Sequence, residues 1–318
     1  MTMCKVQFQK GMSMTEFQEL YGTEAQCEDA LLLQRWPSGF VCPVCGGKTH
    51  RQFRRSGLRY FQCSGRNHQT SLIAKTLFAS SKLSLRSWFQ ALFVLTQTKN
   101  NVAALELKRV LGVCYRTAWR IKHKLMGAMA QQEESRVLGG KIEVDDAYLG
   151  GECMGSKPGR GSPNKQAFVI AVNTHEGRPQ QVVMKTVSSF TKAHFGNFLK
   201  QHVAPGSDVY SDGLAAFSAA ETHNMAHTVF VAESPRLSAK NPQMKWVNTV
   251  LSNVKRSMDG TYHSIDVKKY GQQYLYEAAW RFNRRKNLAS LPIRLLRHAI
   301  ASLPRPESFI RNPQILPC

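Results

Sequence analysis

Acidic residues are scarce. The 318-residue chain holds 21 Asp and Glu against 43 Lys and Arg, a formal net charge of +22 at pH 7 with histidine neutral. A surplus of that size excludes a charge-balanced surface and points to a polyanionic partner. Long apolar runs are also missing. The best, Trp88 to Leu95, is followed at once by Thr96, Gln97 and Lys99, far short of the roughly eighteen residues that a membrane helix needs. The N-terminus has no basic, then apolar, then small-residue order of a secretory leader, so the expectation is an intracellular, cytoplasmic protein without a membrane partner. Cysteine is thinly spread: of Cys4, Cys27, Cys42, Cys45, Cys63, Cys114, Cys153 and Cys318 only Cys42 and Cys45 form a tight pair, which excludes a disulfide-stapled scaffold. Apolar residues are not short. At 42% of the chain they exclude full-length disorder and suffice for one large catalytic domain plus one or two small ones.

The pattern changes along the chain. Residues 13–34 suggest two short helices, with Thr23 placed to cap the second. After Arg35 to Phe40 breaks that pattern, CPVC, HRQFRRSGLRYFQC and NHQTS read as short hairpins around Gly46-Gly47 and Ser56-Gly57, a knuckle-sized module. From Leu83 to Met129 three helical pieces follow. The last two are joined through Leu111-Gly112-Val113 in the manner of a helix-turn-helix, whose final helix would display Arg116, Arg120 and Lys124 at four-residue spacing. Only one acid, Glu106, lies between Lys82 and Met129, so this unit presents an almost purely positive surface to DNA. Past QQEESRVLGG the segments KIEVDDAYLG, QAFVIAVN, QVVMKTV and SDVYSDG read as strands interspersed with helices, an α/β sheet covered by helices. Helices are expected around Trp246 to Met258 and Val267 to Arg285, and the tail beyond Pro304 is expected to be loosely held. The resulting division is a helical region 1–39, a knuckle 40–80, a helix-turn-helix region 81–130, a catalytic domain 138–302 and a flexible tail 303–318.

Carboxylates mark the chemistry. Strand alternation lets Glu143 and Asp145 share a face, whereas Asp145 and Asp146 would not aim at one point. Asp212 stands where a short strand meets Gly213 and a helix start. Two acids at the ends of separate strands suit Mg²⁺, which requires hard oxygen donors, and a pair of such ions can promote in-line phosphoryl transfer to water or a DNA 3′-OH. The bland alternative makes Asp212 a helix cap and leaves Asp145 or Asp146 as solvated charge. Asn248, Ser252 and Lys255 fall on one helical face, offering a neutral oxygen and a cation, or else forming only a polar stripe. Arg281, Arg284 and Arg285, with Lys286, suit a DNA backbone or a solvated basic helix end.

The segments RWPSGFVCPVCGG, NHQTSLIAKTLF, LELKRVLGVCYRTAWRIKHKLM, VDDAYLGGE, GRGSPNKQAF, VYSDGL, KWVNTVLSNVKRSMDGTYH and RFNRR occur in this order from about residue 13 to about residue 300. Together they resemble bacterial insertion-sequence transposases of the DDE superfamily, in the subfamily with an N-terminal zinc ribbon and an Asp-Asp-Asn-Lys motif. The resemblance implies a ribonuclease H-like α/β catalytic domain preceded by a zinc ribbon and a helix-turn-helix. It assigns Asp145 and Asp212 as metal ligands, Asn248 as the third ligand in place of glutamate, and Lys255 as the lysine. It further implies Mg²⁺ or Mn²⁺ as cofactor, terminal inverted repeats and target DNA as partners, a homodimer or higher assembly on DNA, and cleavage followed by 3′-OH strand transfer.

This chain departs from the family pattern in one place. A second Cys-x-x-Cys is expected, but Arg66 stands where its last cysteine belongs. Candidate zinc ligands are Cys42, Cys45 and Cys63 with His68 as the fourth, His50 being another nearby candidate. The alternatives are a weakened three-ligand site, or a metal-free knuckle held by Phe53, Tyr60 and Phe61. A different functional class also fits the charge and the helix-turn-helix: a degenerate copy that occupies inverted repeats without cutting them.

Overall fold

The computed structural model of the chain describes residues 6, 8–151, 162, 164–231 and 242–312. Residues 159–161 and 163 of the GRGSPNKQAF segment, and 313–318 of the tail, lie outside the described residues. The chain forms two compact units, residues 1–128 with 286–310 and residues 129–285 with 311–318.

The first unit begins with α1 (Met14–Tyr21) and α2 (Glu24–Arg35). Each is opened by a reciprocal capping box, Ser13 with Glu16 and Thr23 with Gln26, which satisfies two otherwise orphaned amides per helix. The Glu24 carboxylate in turn accepts from Leu85 N at 2.7 Å and Arg86 N at 2.9 Å, tying α2 to the start of α3 (Leu85–Gln97). Trp88, Leu92 and Leu95 of α3 are buried, with α2 and α10 (Leu291–Ala301) packed against the helix. The knuckle is a three-stranded antiparallel sheet, β1 (His50–Arg55), β2 (Leu58–Cys63) and β3 (Gln69–Ser71). Phe40 stacks on Phe61 at 5.2 Å while Trp36 meets both edge-on at 5.0 Å. Phe53 and Tyr60 form a separate stack at 5.5 Å. Helices α4 (Ala104–Leu111) and α5 (Tyr115–Glu133) are joined through Gly112, whose φ of 65° permits the sharp turn.

The second unit holds a five-stranded sheet in the order β6-β5-β4-β7-β8, made of β4 (Lys141–Leu149), β5 (Gln166–His175), β6 (Arg178–Thr186), β7 (Asp208–Ser211) and β8 (Ala226–Val229). β4, β5 and β6 pair antiparallel, whereas β7 runs parallel to β4 and β8 parallel to β7. The fold is therefore mixed α/β, with β8 an addition that the polar sequence Ala226 to Val229 did not announce. On one face Ile142, Val144, Val169, Ala171 and Val209 form a core with Phe195, Phe198 and Leu199 of α6 (Lys192–His202) and with Phe217. On the other lie α8 (Lys245–Thr261), packed on β4 and β5, and α9 (Val267–Arg284), packed along β6. A short helix α7 (Ala219–Thr222) precedes β8, and α11 (Glu307–Arg311) closes the described chain.

β6 lies at the sheet's edge, and α9 satisfies its outward backbone groups. Gln272 accepts from Thr186 N at 2.7 Å and donates to Met184 O at 3.1 Å. Asn283 accepts from Val182 N at 2.7 Å and donates to Val182 O at 2.9 Å. Such cover removes the hazard of an exposed strand edge.

Candidate active site

Strand β4 carries the first carboxylates. Glu143 and Asp145, two residues apart, face α8, while Ile142 and Val144 face the α6 core. The pairing of β4 with β7 ends at Glu143 opposite Tyr210, so the β4 edge beyond it is open. Asp212, just past β7, accepts from Leu214 N at 3.1 Å. It thus has the local capping contact of the bland alternative and also enters the cluster. Ligand oxygens of Asp145, Asp146 and Asp212 all lie within 4.8 Å of one another. This corrects the alternation argument: within β4, past the last residue paired with β7, the two consecutive carboxylates still bring oxygens to one point. Asp146 is accordingly a member of the cluster that residue spacing had set aside.

Burial, followed by the charges of Asp212 and Asp146, raises the Asp145 carboxyl to about 7, against the opposing effects of its hydrogen bond from Asp146 N at 2.8 Å and of Lys255. Hard oxygen donors converging in this way fit Mg²⁺ or Mn²⁺. The linkage has a definite sign. A folded carboxyl that keeps its proton up to about 7, well above the ordinary aspartate range, favours folding at low pH, and that contribution is lost as pH rises through this window. Metal binding requires the ionised form. The melting temperature of metal-free protein should therefore carry a falling component between about pH 4 and pH 7 that Asp145→Asn removes. Added Mg²⁺ should raise it more at about pH 8 than at about pH 5.5. Equal Mg²⁺ effects at both pH values would contradict this.

Helix α8 brings Asn248 and Lys255 to the same side. Its N-cap position is Met244, which offers no side-chain hydrogen bond. The cap comes from the strand instead: the Glu143 carboxylate accepts from Trp246 N at 2.7 Å and Val247 N at 2.8 Å. Glu143 is 2% exposed, and burial pushes its carboxyl above the usual range against those two hydrogen bonds. Trp246 adds a bond from its indole N–H to Gly177 O at 2.8 Å. Asn248 is half-buried in the first turn and Lys255 is exposed two turns on, close enough to act electrostatically on Asp145. Sequence reasoning placed Glu143 beside Asp145 but gave it no role. The available signal was a helix start without a capping residue.

Beside the cluster opens a cleft of about 1000 Å³, with Asp146, Tyr148, Lys165, Lys255, His263 and Lys268 among its lining residues. Three lysines and a histidine there suit a phosphate-bearing chain.

The other expected residues divide. In the knuckle the sulfurs of Cys42, Cys45 and Cys63 lie within 4.8 Å of one another, a soft donor set that fits Zn²⁺. His68 is exposed and outside that group, which corrects its expected place as fourth ligand: its carbonyl is drawn to Cys63 N at 3.0 Å as part of the turn. His50 faces Lys48 O through Nδ1 at 2.8 Å and packs against Phe40.

On α5, Arg116 and Arg120 reach the surface, where both meet Glu307 of α11 at 3.0 and 3.5 Å. Lys124 is not displayed. It is 9% exposed, near the Trp88 ring at 5.8 Å, and burial lowers its pKa. The four-residue stripe runs from the surface into the core of its unit, where Lys124 lies beside Trp88 of α3. The basic end of α9 also differs from a solvated or DNA-facing cluster. Arg284 pairs with Glu133, which is 2% exposed on its side chain. Arg285 donates to Gln180 O at 3.0 Å and Pro179 O, and burial lowers the Arg281 pKa. These groups serve the β6 edge and a buried carboxylate.

Residues 137–283, which include the carboxylate cluster, Asn248 and Lys255, match the ISXO2-like transposase domain. The chain carries a DDE-type transposase domain. Residues 22–69, holding the three clustered cysteines, match the transposase zinc-ribbon domain. A protein described as an uncharacterized protein in transposable element ISH50 of Halobacterium salinarum is 23% identical over 210 residues, 61% of this chain and 69% of that protein. Among solved structures, the simian T-cell lymphotropic virus intasome in complex with PP2A regulatory subunit B56 gamma covers 71% of this chain and 77% of its own at 12% identity and a TM-score of 0.30. A pre-cleavage Mos1 transpososome covers 67% and 77% at 12% identity and a TM-score of 0.27. At such TM-scores neither likeness carries weight. Within the transposase domain the sheet places Asp145 on β4 and Asp212 just past the adjacent parallel strand β7, and Glu143 caps the helix that bears the remaining two residues of the expected motif.

Proposed function

We propose that this transposase cleaves DNA at transposon ends and joins the freed 3′-OH to target DNA. The observation that carries the reading is the convergence of Asp145 and Asp146, midway along β4, with Asp212, just past the end of the parallel neighbour β7, inside the transposase domain. A ribonuclease H-like sheet is supported by the strand order, with three antiparallel strands followed by two parallel ones. Asp145 and Asp212 would hold Mg²⁺ or Mn²⁺, with Asn248 as the neutral third ligand. When bound, the metal supplies charge stabilisation on phosphate oxygens and acidifies the attacking hydroxyl. Lys255, exposed beside Asp145, binds a non-reacting phosphate oxygen and orients the strand. Asp145 would hold the ion in its ionised form, its proton passing to solvent.

The partner in this reading is double-stranded DNA, first the terminal inverted repeats and then the target. A transposase homodimer or higher assembly would hold two ends together, in the bacterial cytoplasm where the element resides. The +22 charge supports DNA, and α5 offers Arg116 and Arg120 to the phosphates. Because Glu307 already engages both arginines, Glu307→Gln should tighten binding to repeat DNA about threefold to tenfold at moderate salt. Titration of fluorescent repeat DNA would read this. Unchanged affinity would place the recognition surface elsewhere.

The second reading, a DNA-binding protein without chemistry, is favoured by the neutral Asn248 and by Arg66 in the ribbon. Plasmid nicking at the repeat ends separates the two. Mg²⁺-dependent cuts at the element boundary support the transposase, whereas tight repeat binding with no cuts in Mg²⁺ or Mn²⁺ supports the binding protein.

A further inference from the structure

The two turns of the ribbon share one backbone. In the first, Gly46 N donates to Cys42 O at 2.9 Å; in the second, Asn67 N donates to Cys63 O at 2.9 Å. Both closing residues are left-handed, Gly46 at φ 72° and Asn67 at φ 52°, a conformation that glycine and asparagine tolerate best. Residue for residue, Cys42 corresponds to Cys63 and Cys45 corresponds to Arg66. The ligand-presenting turn survives at Arg66 although the ligand does not.

The remaining donors are arranged as a site. Amides of Val44 and Cys45 hydrogen-bond to the Cys42 sulfur, and the Gly47 amide to the Cys45 sulfur. The Cys45 and Cys63 sulfurs are 3.5 Å apart. A Cβ on Gly47 would sit 3.3 Å from the first and 3.5 Å from the second, so glycine there leaves the sulfurs room. Four donors are needed to close a tetrahedral zinc site. Arginine cannot be the fourth, because its guanidinium stays protonated and has no lone pair to give. Neither His68 nor His50 brings a ring nitrogen into the group of the three sulfurs, and His50 Nδ1 faces Lys48 O at 2.8 Å.

We propose that Cys42, Cys45 and Cys63 form an open three-thiolate zinc site whose fourth ligand is a water exchangeable for a small donor such as imidazole. The three thiols release their protons as the ion binds. Arg66 leaves a coordination position that a complete ribbon closes. This inference is independent of the catalytic proposal.

Cobalt substitution of the full-length protein tests it, since thiolate-to-cobalt charge transfer reports the ribbon and is not produced by the carboxylate cluster. Wild-type protein should bind one thiolate-ligated Co²⁺ with a charge-transfer band about three-quarters as intense as that of Arg66→Cys, in the ratio of three thiolates to four. Added imidazole should shift the visible cobalt bands of the wild type and leave those of Arg66→Cys unmoved. Cys45→Ser should lose most of the band. If Arg66→Cys fails to fold, the imidazole response of the wild type decides alone. Absence of a charge-transfer band in the wild type, or a spectrum indifferent to imidazole, overturns the proposal.

Discussion

Asp145→Ala and Asp212→Ala should each lower strand transfer on the order of a thousandfold or more, while binding to repeat DNA stays within about twofold of wild type. The two effects separate because each change removes a carboxylate that meets the metal and no cation that meets phosphate. Asp145 is the more informative of the pair. Its carboxyl is raised to about 7 by burial and by two neighbouring acids, an arrangement that costs folding free energy and that a divalent cation offsets. Asp145→Ala should therefore melt no lower than wild type without metal and should lose much of the Mg²⁺-induced rise in melting temperature. Asp146→Asn asks a further question. Since its oxygen lies within the cluster, its loss should weaken Mg²⁺ dependence if a third carboxylate compensates for the neutral Asn248. End joining measured against Mg²⁺ concentration would show this as a rightward shift.

Glu143→Ala should destabilise the protein by about 3 kcal/mol and reduce strand transfer about a hundredfold. The half-buried Trp246 amide and the buried Val247 amide lose their only partner in the described hydrogen bonds, and the first turn of α8 loses its anchor to β4. The kinetic effect follows from position, because Asn248 sits one residue beyond that anchor while Asp145 sits two residues from its other end. Glu143→Gln keeps an acceptor oxygen and should recover most of both losses, leaving about 1 kcal/mol of destabilisation. Denaturant unfolding together with end-joining rates checks the pair. A Glu143→Ala protein that is destabilised but joins ends at the wild-type rate would reduce Glu143 to a fold-stabilising residue.

Much of this is legible in the sequence. Alternation in IEVDDAYLG and the position of Asp212 before Gly213 identified the strands that carry the acids, and helical spacing put Asn248 and Lys255 on one face. Three things were not legible, each for a physical reason. Whether Asp146 joins Asp145 depends on where β7 stops pairing, which is a property of the sheet and not of either residue. The fate of Lys124, Arg284 and Arg285 depended on burial: helical spacing shows which residues share a face but not whether that face meets solvent, a core, or an unpaired strand edge such as β6. The capping of α8 by Glu143 joins residues about a hundred positions apart, beyond any local pattern. In the ribbon, spacing located the missing ligand at Arg66, yet only the repeated turn geometry shows that its backbone still presents a ligand position.

In the proposed reaction a transposon 3′-OH attacks target DNA at the carboxylate cluster. Its most direct test uses pre-cut, labelled transposon ends, half with a 3′-OH and half with a 3′-deoxy terminus, incubated with full-length protein, target plasmid and Mg²⁺. The expected result is covalent joining of the 3′-OH ends alone, abolished by EDTA and by Asp212→Ala. Joining of the 3′-deoxy ends, or joining that survives EDTA, would contradict the account.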